Sequence, residues 1–381
     1  MPKITYIITR LDRGGSAEAA LQWAEGIKNQ GFQVDLVSGS TIEPHENLEE
    51  YSKRTGIEIQ FIDSLHRELE PVNDLKALWA LYRFIRKNRP DIVHTNSSKA
   101  GLLGRTAAWL ARTPIIVHSP HGHIFYGYYG RFKTNLFIFL ERFAGRFTDV
   151  ITTLTSIGRD DHVKLKIAPP EKFEIVHAGI DIEKYRKTTL SREEIRNALK
   201  IPQEAFVIGW VGRFADIKNP LMLVNSAERL KTEDDLHFLM VGDGELLAKC
   251  KVKVERAGMN HKFTFTGFRS DVPDLLKAMD LYVLTSTNEG LGRSIIEAQA
   301  AGLPVAVSKV GGVPDIIEDG VNGSLIPVND DEYLAAEIKS FKNDTEKRKR
   351  FISSSNVRLA GFSLQKTIED LEKIYNRLLA T

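Results

Sequence analysis

The sequence predicts an α/β protein made of two doubly wound halves, each a largely parallel sheet with helices on both faces. Short apolar strands alternate with amphipathic helices along the chain, which is the pattern of parallel sheets. After a polar and charged stretch at 185–205, the pattern restarts with a strand at 204–210. A chain of 381 residues is also too long for one ordinary core. We therefore expect domains at 1–187 and 188–362 and a terminal helix at 363–381.

The first half opens with a strand at 4–9 and a helix whose apolar residues recur at helical spacing. Helices are also predicted at 74–88 and 99–111, whereas the segment 41–71 is polar and less regular. The remaining strands of this half are predicted at VDLVSG, DIVHTN, PIIVHSPHG, DVITTLT and FEIVHAGI.

The second half repeats this alternation, with a helix at 220–230 and a final helix at 363–379. Its strands are predicted at EAFVIGW, HFLMVGDG, FTFTGF, LYVLTS, PVAVS and GSLIPV. Ligands of open α/β sheets bind at the carboxyl ends of the strands, and the candidate residues below each follow a strand. Two sheets whose carboxyl ends face each other would enclose one central cleft.

Composition excludes several classes of protein. Hydrophobic residues make up 42% and charged residues 27%, and the formal net charge of +2 does not indicate nucleic acid as a partner. The single cysteine, Cys250, excludes an internal disulfide and a cysteine zinc cluster. The N-terminus lacks the pattern of a signal peptide, and no apolar run is long enough to span a bilayer. We therefore expect a cytoplasmic protein.

The most informative segment is STNEGLGRSIIEAQAAGLPVAVS, which carries Glu289 and Glu297 on either side of a Gly-rich turn and a helix start. Gly290 and Gly292 let the backbone approach a ligand, and the N–H groups up to Ser294 can hold an anion. Two carboxylates beside an anion site suit a sugar nucleotide, which has both hydroxyls and phosphates. The alternative is a helix with an acidic first turn and an exposed glutamate.

Two cations in GWVGRFADIKNP, Arg213 and Lys218, follow the first strand of the second half. An arginine can bind phosphate oxygens in a bidentate manner, and a lysine supplies a point charge. Together they would neutralise a diphosphate and stabilise it as a leaving group. The alternative is a pair of solvated surface cations.

In the first half, His121, Gly122 and His123 follow the strand PIIVHSP, and His121 is a candidate for contact with a sugar. His94 and His118 lie within strands and are expected to be core histidines. No carboxylate stands at a ligand-like spacing from His121 and His123, so no metal site is predicted.

Gly14 and Gly15 form a turn between the first strand and the first helix. This turn resembles a phosphate loop. It lacks the third glycine of a dinucleotide fingerprint and the Lys-Ser/Thr of a P-loop, so a tight turn is the alternative.

The segment 75–146 contains twelve lysines and arginines but only two carboxylates, a net local charge of about ten. Within it, GRFKTNLFIFLERFAGRF at 130–147 interleaves phenylalanines with cations. Such a stretch is typical of contact with an anionic membrane surface. The alternative is a core-facing helix with a solvated basic side.

These motifs resemble glycosyltransferase family 4. The resemblance covers essentially the whole chain and rests on GWVGRFADIKNP, VGDGE, FTGFRSDV, the run around the two glutamates, NSSKAGLLGR and PHGH. It implies the GT-B fold, in which the last helix crosses back to the N-terminal domain. It also implies a retaining, metal-independent transfer of a sugar from a nucleoside diphosphate donor, with a UDP-sugar expected, and no cofactor.

By the family's pattern, the donor occupies the second half and the acceptor the first. The resemblance assigns Glu289 and His121 to the transferred sugar and Glu297 to the ribose. It assigns Arg213 and Lys218 to the diphosphate. It places the turn of Gly267, Phe268 and Arg269 beside the base. The run of Gly290, Leu291, Gly292 and Ser294 is placed against the donor, and Gly14 and Gly15 are placed on the acceptor side.

Three residues depart from the common family pattern. Leu291 stands where an aromatic residue is frequent, Asn96 where a second histidine often occurs, and Ala178 where asparagine is usual. The sequence therefore leaves the identity of donor and acceptor open. The basic and aromatic tract favours a lipid-linked or cell-envelope glycan acceptor. A sugar-nucleotide epimerase or hydrolase, and a non-catalytic sugar-nucleotide sensor, remain the alternatives.

Overall fold

The computed structural model of the chain describes residues 1–122 and 130–381. Two compact units are present, and the chain passes between them twice. Unit 1 comprises Met1–Gly179 and Leu364–Thr381, and unit 2 comprises Ile180–Ser363. Each unit is built on one parallel sheet with connecting helices, so the predicted architecture of two doubly wound domains is confirmed.

Unit 1 contains a seven-stranded sheet within its described residues. The strands are β1 (Lys3–Ile8), β2 (Gln33–Gly39), β3 (Glu58–Ile62), β4 (Ile92–Asn96), β5 (Ile115–Ser119), β6 (Val150–Thr153) and β7 (Phe173–Ile175). They pair in the order β3-β2-β1-β4-β5-β6-β7. The helices before the crossover are α1 (Gly15–Asn29), α2 (Leu48–Thr55), α3 (Pro71–Asn88), α4 (Ser98–Ala111), α5 (Arg131–Gly145) and α6 (Ser156–Lys164).

Unit 2 contains a six-stranded sheet of the same kind. Its strands are β8 (Phe206–Val211), β9 (Leu236–Val241), β10 (Phe263–Phe265), β11 (Leu281–Leu284), β12 (Val305–Ser308) and β13 (Ser324–Ile326), in the order β10-β9-β8-β11-β12-β13. Its helices are α7 (Ile182–Arg186), α8 (Arg192–Ala198), α9 (Pro220–Arg229), α10 (Leu247–Arg256), α11 (Val272–Lys277), α12 (Arg293–Ala300), α13 (Val313–Ile316), α14 (Asp331–Asn343) and α15 (Thr345–Arg358).

The boundary between the units lies at Gly179–Ile180, eight residues before the predicted boundary at 187/188. The reason is helix α7, which packs against α11 and α12 of unit 2 and buries Tyr185 there. The charged stretch that suggested the later boundary therefore already belongs to unit 2.

Helix α2 and strand β3 occupy the segment that the sequence marked as polar and less regular. The side chain of Asn47 caps α2 by accepting hydrogen bonds from the backbone N–H groups of Glu49 (3.1 Å) and Glu50 (3.2 Å). Tyr51 is the buried residue of this short helix. β3 is an edge strand with mostly exposed side chains, so neither element carries the apolar periodicity by which longer elements are predicted.

The last helix, α16 (Leu364–Leu379), returns to unit 1 and packs against α1. Its Tyr375 hydroxyl lies 2.8 Å from the Tyr6 hydroxyl of β1 and 2.5 Å from Nδ1 of His94 in β4. Nε2 of His94 lies 2.7 Å from the hydroxyl of Ser119 in β5. This buried polar chain fixes the returning helix to three strands, and the predicted crossing back is confirmed.

Buried histidines are held neutral in both units. In β5, burial, with a smaller repulsion from Arg105, lowers the pKa of His118 well below its ordinary value. Burial, with a smaller repulsion from His121, lowers the pKa of His94 to about 3. Burial, with repulsion from Arg196 and His261, lowers the pKa of His237 to about 4. These groups therefore bind a proton in the unfolded chain at a pH where the folded chain leaves them neutral.

We predict that the free energy of unfolding falls as the pH falls from about 6.5, where the unfolded histidines begin to protonate. At pH 5 each buried histidine would account for up to about 2 kcal/mol. Urea unfolding between pH 7.5 and pH 5 measures this loss. His237→Gln, which can keep the hydrogen bond to Thr264, should show a shallower dependence than the wild type, and an identical slope would contradict the account.

Candidate functional site

The candidate residues of unit 2 cluster where the strand order of its sheet reverses. β8 and β11 are neighbours there, although β9 and β10 separate them in sequence. Arg213 and Lys218 follow β8, and Glu289 follows β11. Ligands of open α/β sheets bind at such switch points, at the carboxyl ends of the strands.

Lys218 and Glu289 are in direct contact. Nζ of Lys218 lies 2.5 Å from Oε1 of Glu289, and the hydroxyl of Ser286 donates to the same oxygen at 2.6 Å. The Glu289 side chain is 9% exposed and that of Lys218 27%. Oε2 of Glu289 has no hydrogen-bond partner among the residues that the structure describes. One oxygen of the carboxylate is thus held by the protein, and the other is available to a ligand.

The loop that carries Lys218 is fixed to the end of β11. The hydroxyl of Thr285 donates to the carbonyl of Lys218 at 3.0 Å, and the N–H of Thr287 donates to the carbonyl of Ile217 at 2.8 Å. The indole N–H of buried Trp210, in β8, donates to the same Thr285 hydroxyl at 3.2 Å. The backbone at Lys218 is therefore positioned by the strand that leads to Glu289.

The backbone of Glu289 is held by a glycine turn. The N–H of Gly312 donates to the carbonyl of Glu289 at 3.1 Å. Gly311 has φ +46°, and a Cβ atom there would lie 1.9 Å from that carbonyl oxygen. No side chain fits in this contact, so Gly311 is required for the position of Glu289.

Helix α12 begins directly after the turn and carries Glu297. Gly292 caps it with φ +81°, in the left-handed region. The side chain of Leu291 is buried in unit 2, so only its backbone is available to a ligand. Below the helix, the buried Tyr282 hydroxyl bonds to Ser294, and burial raises its pKa, with Glu297 and Glu289 adding to the effect. Tyr282 stays protonated and can support the helix start.

Arg213 lies apart from the Lys218–Glu289 contact. Its guanidinium is 3.4 Å from the carboxylate of Glu245, and both side chains are largely exposed. The flanking loops are tied together, since Phe214 N–H donates to the Asp243 carbonyl at 2.9 Å. An exposed pair of this kind is worth at most about 1 kcal/mol, so Arg213 can exchange Glu245 for an anionic ligand.

The turn of Gly267, Phe268 and Arg269 follows β10. Gly267 has φ +71°, and its carbonyl accepts a hydrogen bond of 2.9 Å from the N–H of Gly242. The Phe268 ring is half exposed, and Arg269 forms a bidentate pair with Asp271. The turn therefore carries a half-exposed aromatic side chain.

In unit 1, His121 follows β5 and its Nε2 lies 2.7 Å from Oδ1 of Asn96. The amide nitrogen of Asn96 donates to the carbonyl of His94 at 3.3 Å, which orients the amide. Oδ1 therefore accepts from Nε2–H, and Nδ1 is the acceptor atom of a neutral His121 ring. The Trp23 ring lies 4.8 Å from the His121 ring, centroid to centroid.

Gly14 precedes α1 and Gly15 is its first residue, so both lie at a helix start in unit 1. Gly122 follows His121 directly, and His123 lies outside the described residues. In the described part of the chain, no group of three or more potential metal ligands comes together.

Several residues that shape the site were not singled out from the sequence. Ser286, Tyr282 and Gly311 contact the glutamates or their helix, and Trp23 contacts His121. Asn96 was named only as a departure from the family pattern, and its contact with His121 was not predicted. Only Gly311-Gly312 carries a sequence signal, a glycine pair directly after a strand. Serine, tyrosine and tryptophan in a strand or helix are ordinary core residues, and their role depends on tertiary contacts.

Comparison with known sequences identifies two matching families. Residues 14–179 match the family described as glycosyl transferase 4-like domain, and residues 191–358 match glycosyl transferases group 1. An Escherichia coli protein, UDP-Gal:alpha-D-GlcNAc-diphosphoundecaprenol alpha-1,3-galactosyltransferase, is 30% identical over 98% of this chain and 96% of its own length. Staphylococcus aureus CapM, a capsular polysaccharide biosynthesis glycosyltransferase, is 26% identical over 93% and 92%.

Solved structures share the fold. Anabaena Alr3699/HepE in complex with UDP-glucose superposes with a TM-score of 0.84, at 21% identity over 98% of this chain and 99% of that one. WaaG, a glycosyltransferase involved in lipopolysaccharide biosynthesis, superposes with a TM-score of 0.76, at 18% identity over 97% and 99%. At these identities, the likeness shows the GT-B architecture alone.

We predict that Gly311→Ala destabilises unit 2 by several kcal/mol, because it combines a left-handed backbone with a clash against the Glu289 carbonyl. Gly258→Ala is the matched control. It has φ +70° but open space around the missing Cβ, so it should cost only about 1–2 kcal/mol. Urea unfolding of both variants measures the difference. Equal losses would contradict the role given to the Gly311 contact.

Proposed function

Because this chain belongs to glycosyltransferase family 4, we propose that it transfers a sugar from a UDP-sugar to an acceptor hydroxyl with retention of configuration. The relatives that support the donor class are the Escherichia coli enzyme, named for UDP-Gal, and Anabaena HepE, solved with UDP-glucose. Glycosyltransferase activity follows from the family. The nucleotide, the stereochemistry and the residue roles are the proposal.

The observation that carries the proposal is the asymmetric environment of the Glu289 carboxylate. Lys218 and Ser286 both occupy Oε1, and no described residue bonds to Oε2. An acceptor-only atom at the carboxyl end of a strand suits neighbouring hydroxyls of a sugar. Glu289 therefore holds the transferred sugar through Oε2, while its other oxygen keeps Lys218 beside the leaving group.

The diphosphate is held by Lys218, Arg213 and the start of α12. Lys218 is already oriented by Glu289, and Arg213 exchanges an exposed pair with Glu245 for the phosphate. The N–H groups after Gly292 add a partial positive charge without a side chain. These groups stabilise the negative charge that grows on the diphosphate as the bond to the sugar breaks.

The other donor contacts are those that the family pattern assigns. Glu297, one turn into α12, accepts hydrogen bonds from the ribose hydroxyls. Phe268, half exposed on the Gly267–Arg269 turn, borders the base. Leu291 contributes its backbone rather than its buried side chain.

The proposed transfer needs no protein nucleophile. The bond from the anomeric carbon to the diphosphate oxygen breaks, and the electron pair leaves with the diphosphate. The acceptor hydroxyl attacks the same face, and its proton passes to an oxygen of the departing phosphate. His121 orients a hydroxyl of the transferred sugar.

The acceptor is a glycan or a lipid-linked glycan, bound by unit 1 beside Gly14 and Gly15 at the start of α1. The support comes from two relatives, one named for a diphosphoundecaprenol-linked acceptor and one for capsular polysaccharide biosynthesis. With such an acceptor, we propose that the reaction takes place at the cytoplasmic face of the membrane.

The test is incubation with a panel of UDP-sugars, with and without candidate acceptors, followed by NMR of the product. The proposal expects donor consumption that depends on acceptor and an α-linked product from an α-configured donor. Turnover without acceptor would indicate an epimerase or hydrolase, binding without turnover a sensor, and a β-linked product an inverting enzyme. Each of these results would overturn the proposal.

We predict that Lys218→Ala and Arg213→Ala each lower kcat/KM by about a hundredfold or more, since one lost charge-stabilising donor costs about 2.7–4 kcal/mol. Arg229→Ala is the control, because Arg229 is a half-exposed arginine of unit 2 paired with Asp331, outside the site. Steady-state rates with the preferred donor measure the effect. Near wild-type rates in a folded Lys218 or Arg213 variant would contradict the phosphate assignment.

A further inference from the structure

We propose that helix α5, with the neighbouring ends of α3 and α4, docks unit 1 on an anionic lipid bilayer. The central feature is a row of exposed apolar residues on α5, named here the α5 stripe: Phe132, Leu136, Phe139 and Phe143. At 3.6 residues per turn, these positions fall within an arc of about 60°. Phe132 is 84% exposed and Phe139 65%, so the stripe faces away from the protein.

The α5 stripe does not belong to the face by which α5 packs on unit 1. α5 is attached by its opposite side, where Ala144 and Gly145 are buried and Ile138 packs against Ile151 and its neighbours. Glu141 on that side accepts a 2.7 Å bond from the fully buried Arg105 of α4. The alternative of a core-facing helix with a solvated basic side therefore does not account for these phenylalanines.

Cations flank the stripe. Arg131 and Arg142 lie on one side of it along the helix wheel and Lys133 on the other, and all three are exposed. Neither Arg131 nor Lys133 forms an ion pair with a described residue. An apolar centre with basic flanks is the arrangement of a helix that lies in the interface of an anionic membrane.

The carboxylates of residues 71–147 already have partners within unit 1. From residue 71 to 147 the chain has three: Asp74, Asp91 and Glu141. Asp74 pairs with Lys99 at 2.5 Å, Asp91 accepts from the Lys3 N–H at 2.7 Å, and Glu141 pairs with Arg105. The exposed cations of the segment therefore keep an unbalanced positive field. They are Lys76, Arg83, Arg86, Lys87, Arg89, Arg112, Arg131, Lys133, Arg142 and Arg146.

Apolar residues continue onto the adjoining helices, since α4 packs against both α3 and α5. On α3, Val72, Leu75 and Trp79 are exposed at helical spacing. Trp109 at the end of α4 is half exposed, and its ring stacks on Phe147 at 5.2 Å, which in turn meets Phe143. The apolar surface is therefore wider than a single helix.

A bilayer fits this surface better than a second copy of the chain. In a twofold interface the same patch meets itself, so the cations would face cations across a buried contact. Anionic headgroups neutralise the flanks while the phenylalanines enter the acyl boundary. The described chain has no helix that is long and apolar enough to cross a membrane, so the contact is one of lying on the surface.

The test is flotation of the full chain with vesicles of equimolar phosphatidylcholine and phosphatidylglycerol, against pure phosphatidylcholine, at low and high salt. The wild type should float with the anionic vesicles and be released by salt. Arg131→Glu with Lys133→Glu should lower the partition coefficient by at least about 25-fold, from about fivefold for each cation lost. Phe132→Ser with Phe139→Ser should abolish flotation.

Matched controls lie in unit 2. Val252→Ser with Val357→Ser removes two exposed apolar residues, and Lys231→Glu with Lys249→Glu reverses two exposed cations. Both controls should float like the wild type. In every variant the thermal shift produced by UDP should stay unchanged, which separates loss of docking from failure of the proposed donor site.

Three results would overturn the proposal. The stripe variants and the controls could float equally, or the wild type could bind pure phosphatidylcholine as well as the anionic vesicles. Alternatively, sedimentation could show a wild-type dimer that Phe132→Ser with Phe139→Ser dissociates, with no flotation of either. That last result would make the stripe a protein interface.

Discussion

The contact between Lys218 and Glu289 is the interaction on which the site of unit 2 depends. It joins the loop after β8 to the loop after β11 across the switch point of the sheet. A lysine and a glutamate held 2.5 Å apart orient each other, and Ser286 completes the contact. One carboxylate oxygen of Glu289 thereby holds the contact together, and the other remains available to a ligand.

The loops that carry this contact are themselves held in place. The Thr285 hydroxyl, which accepts from the Trp210 indole, donates to the Lys218 carbonyl, and the Gly312 N–H donates to the Glu289 carbonyl. The backbone beneath both charged side chains is therefore already fixed when a ligand arrives. Arg213, in contrast, is exposed and loosely paired, which suits a group that moves onto phosphate. Under the proposed function, Lys218 and Arg213 would together stabilise one leaving group.

The sequence was sufficient for the alternation of strands and helices and for placing Lys218 and Glu289 after strands, because apolar periodicity and Gly-rich turns are local signals. The partner of Lys218 could not be read from it. Glu289 lies 71 residues away, and the two meet only because β11 crosses over to lie beside β8. α2 and β3 were missed since a short polar helix and an exposed edge strand carry little periodicity. The phenylalanines of α5 had the right spacing for a helix, but spacing does not say what covers them.

The most direct test of the central claim is isothermal titration of Glu289→Gln with UDP and with the preferred UDP-sugar. If Oε2 of Glu289 holds the sugar and Oε1 only orients Lys218, the variant should lose the preference for the UDP-sugar over UDP. Binding of UDP itself should remain, since Lys218, Arg213 and the start of α12 are still present. A variant that keeps the wild-type preference for the UDP-sugar would contradict the assignment of Glu289 to the transferred sugar.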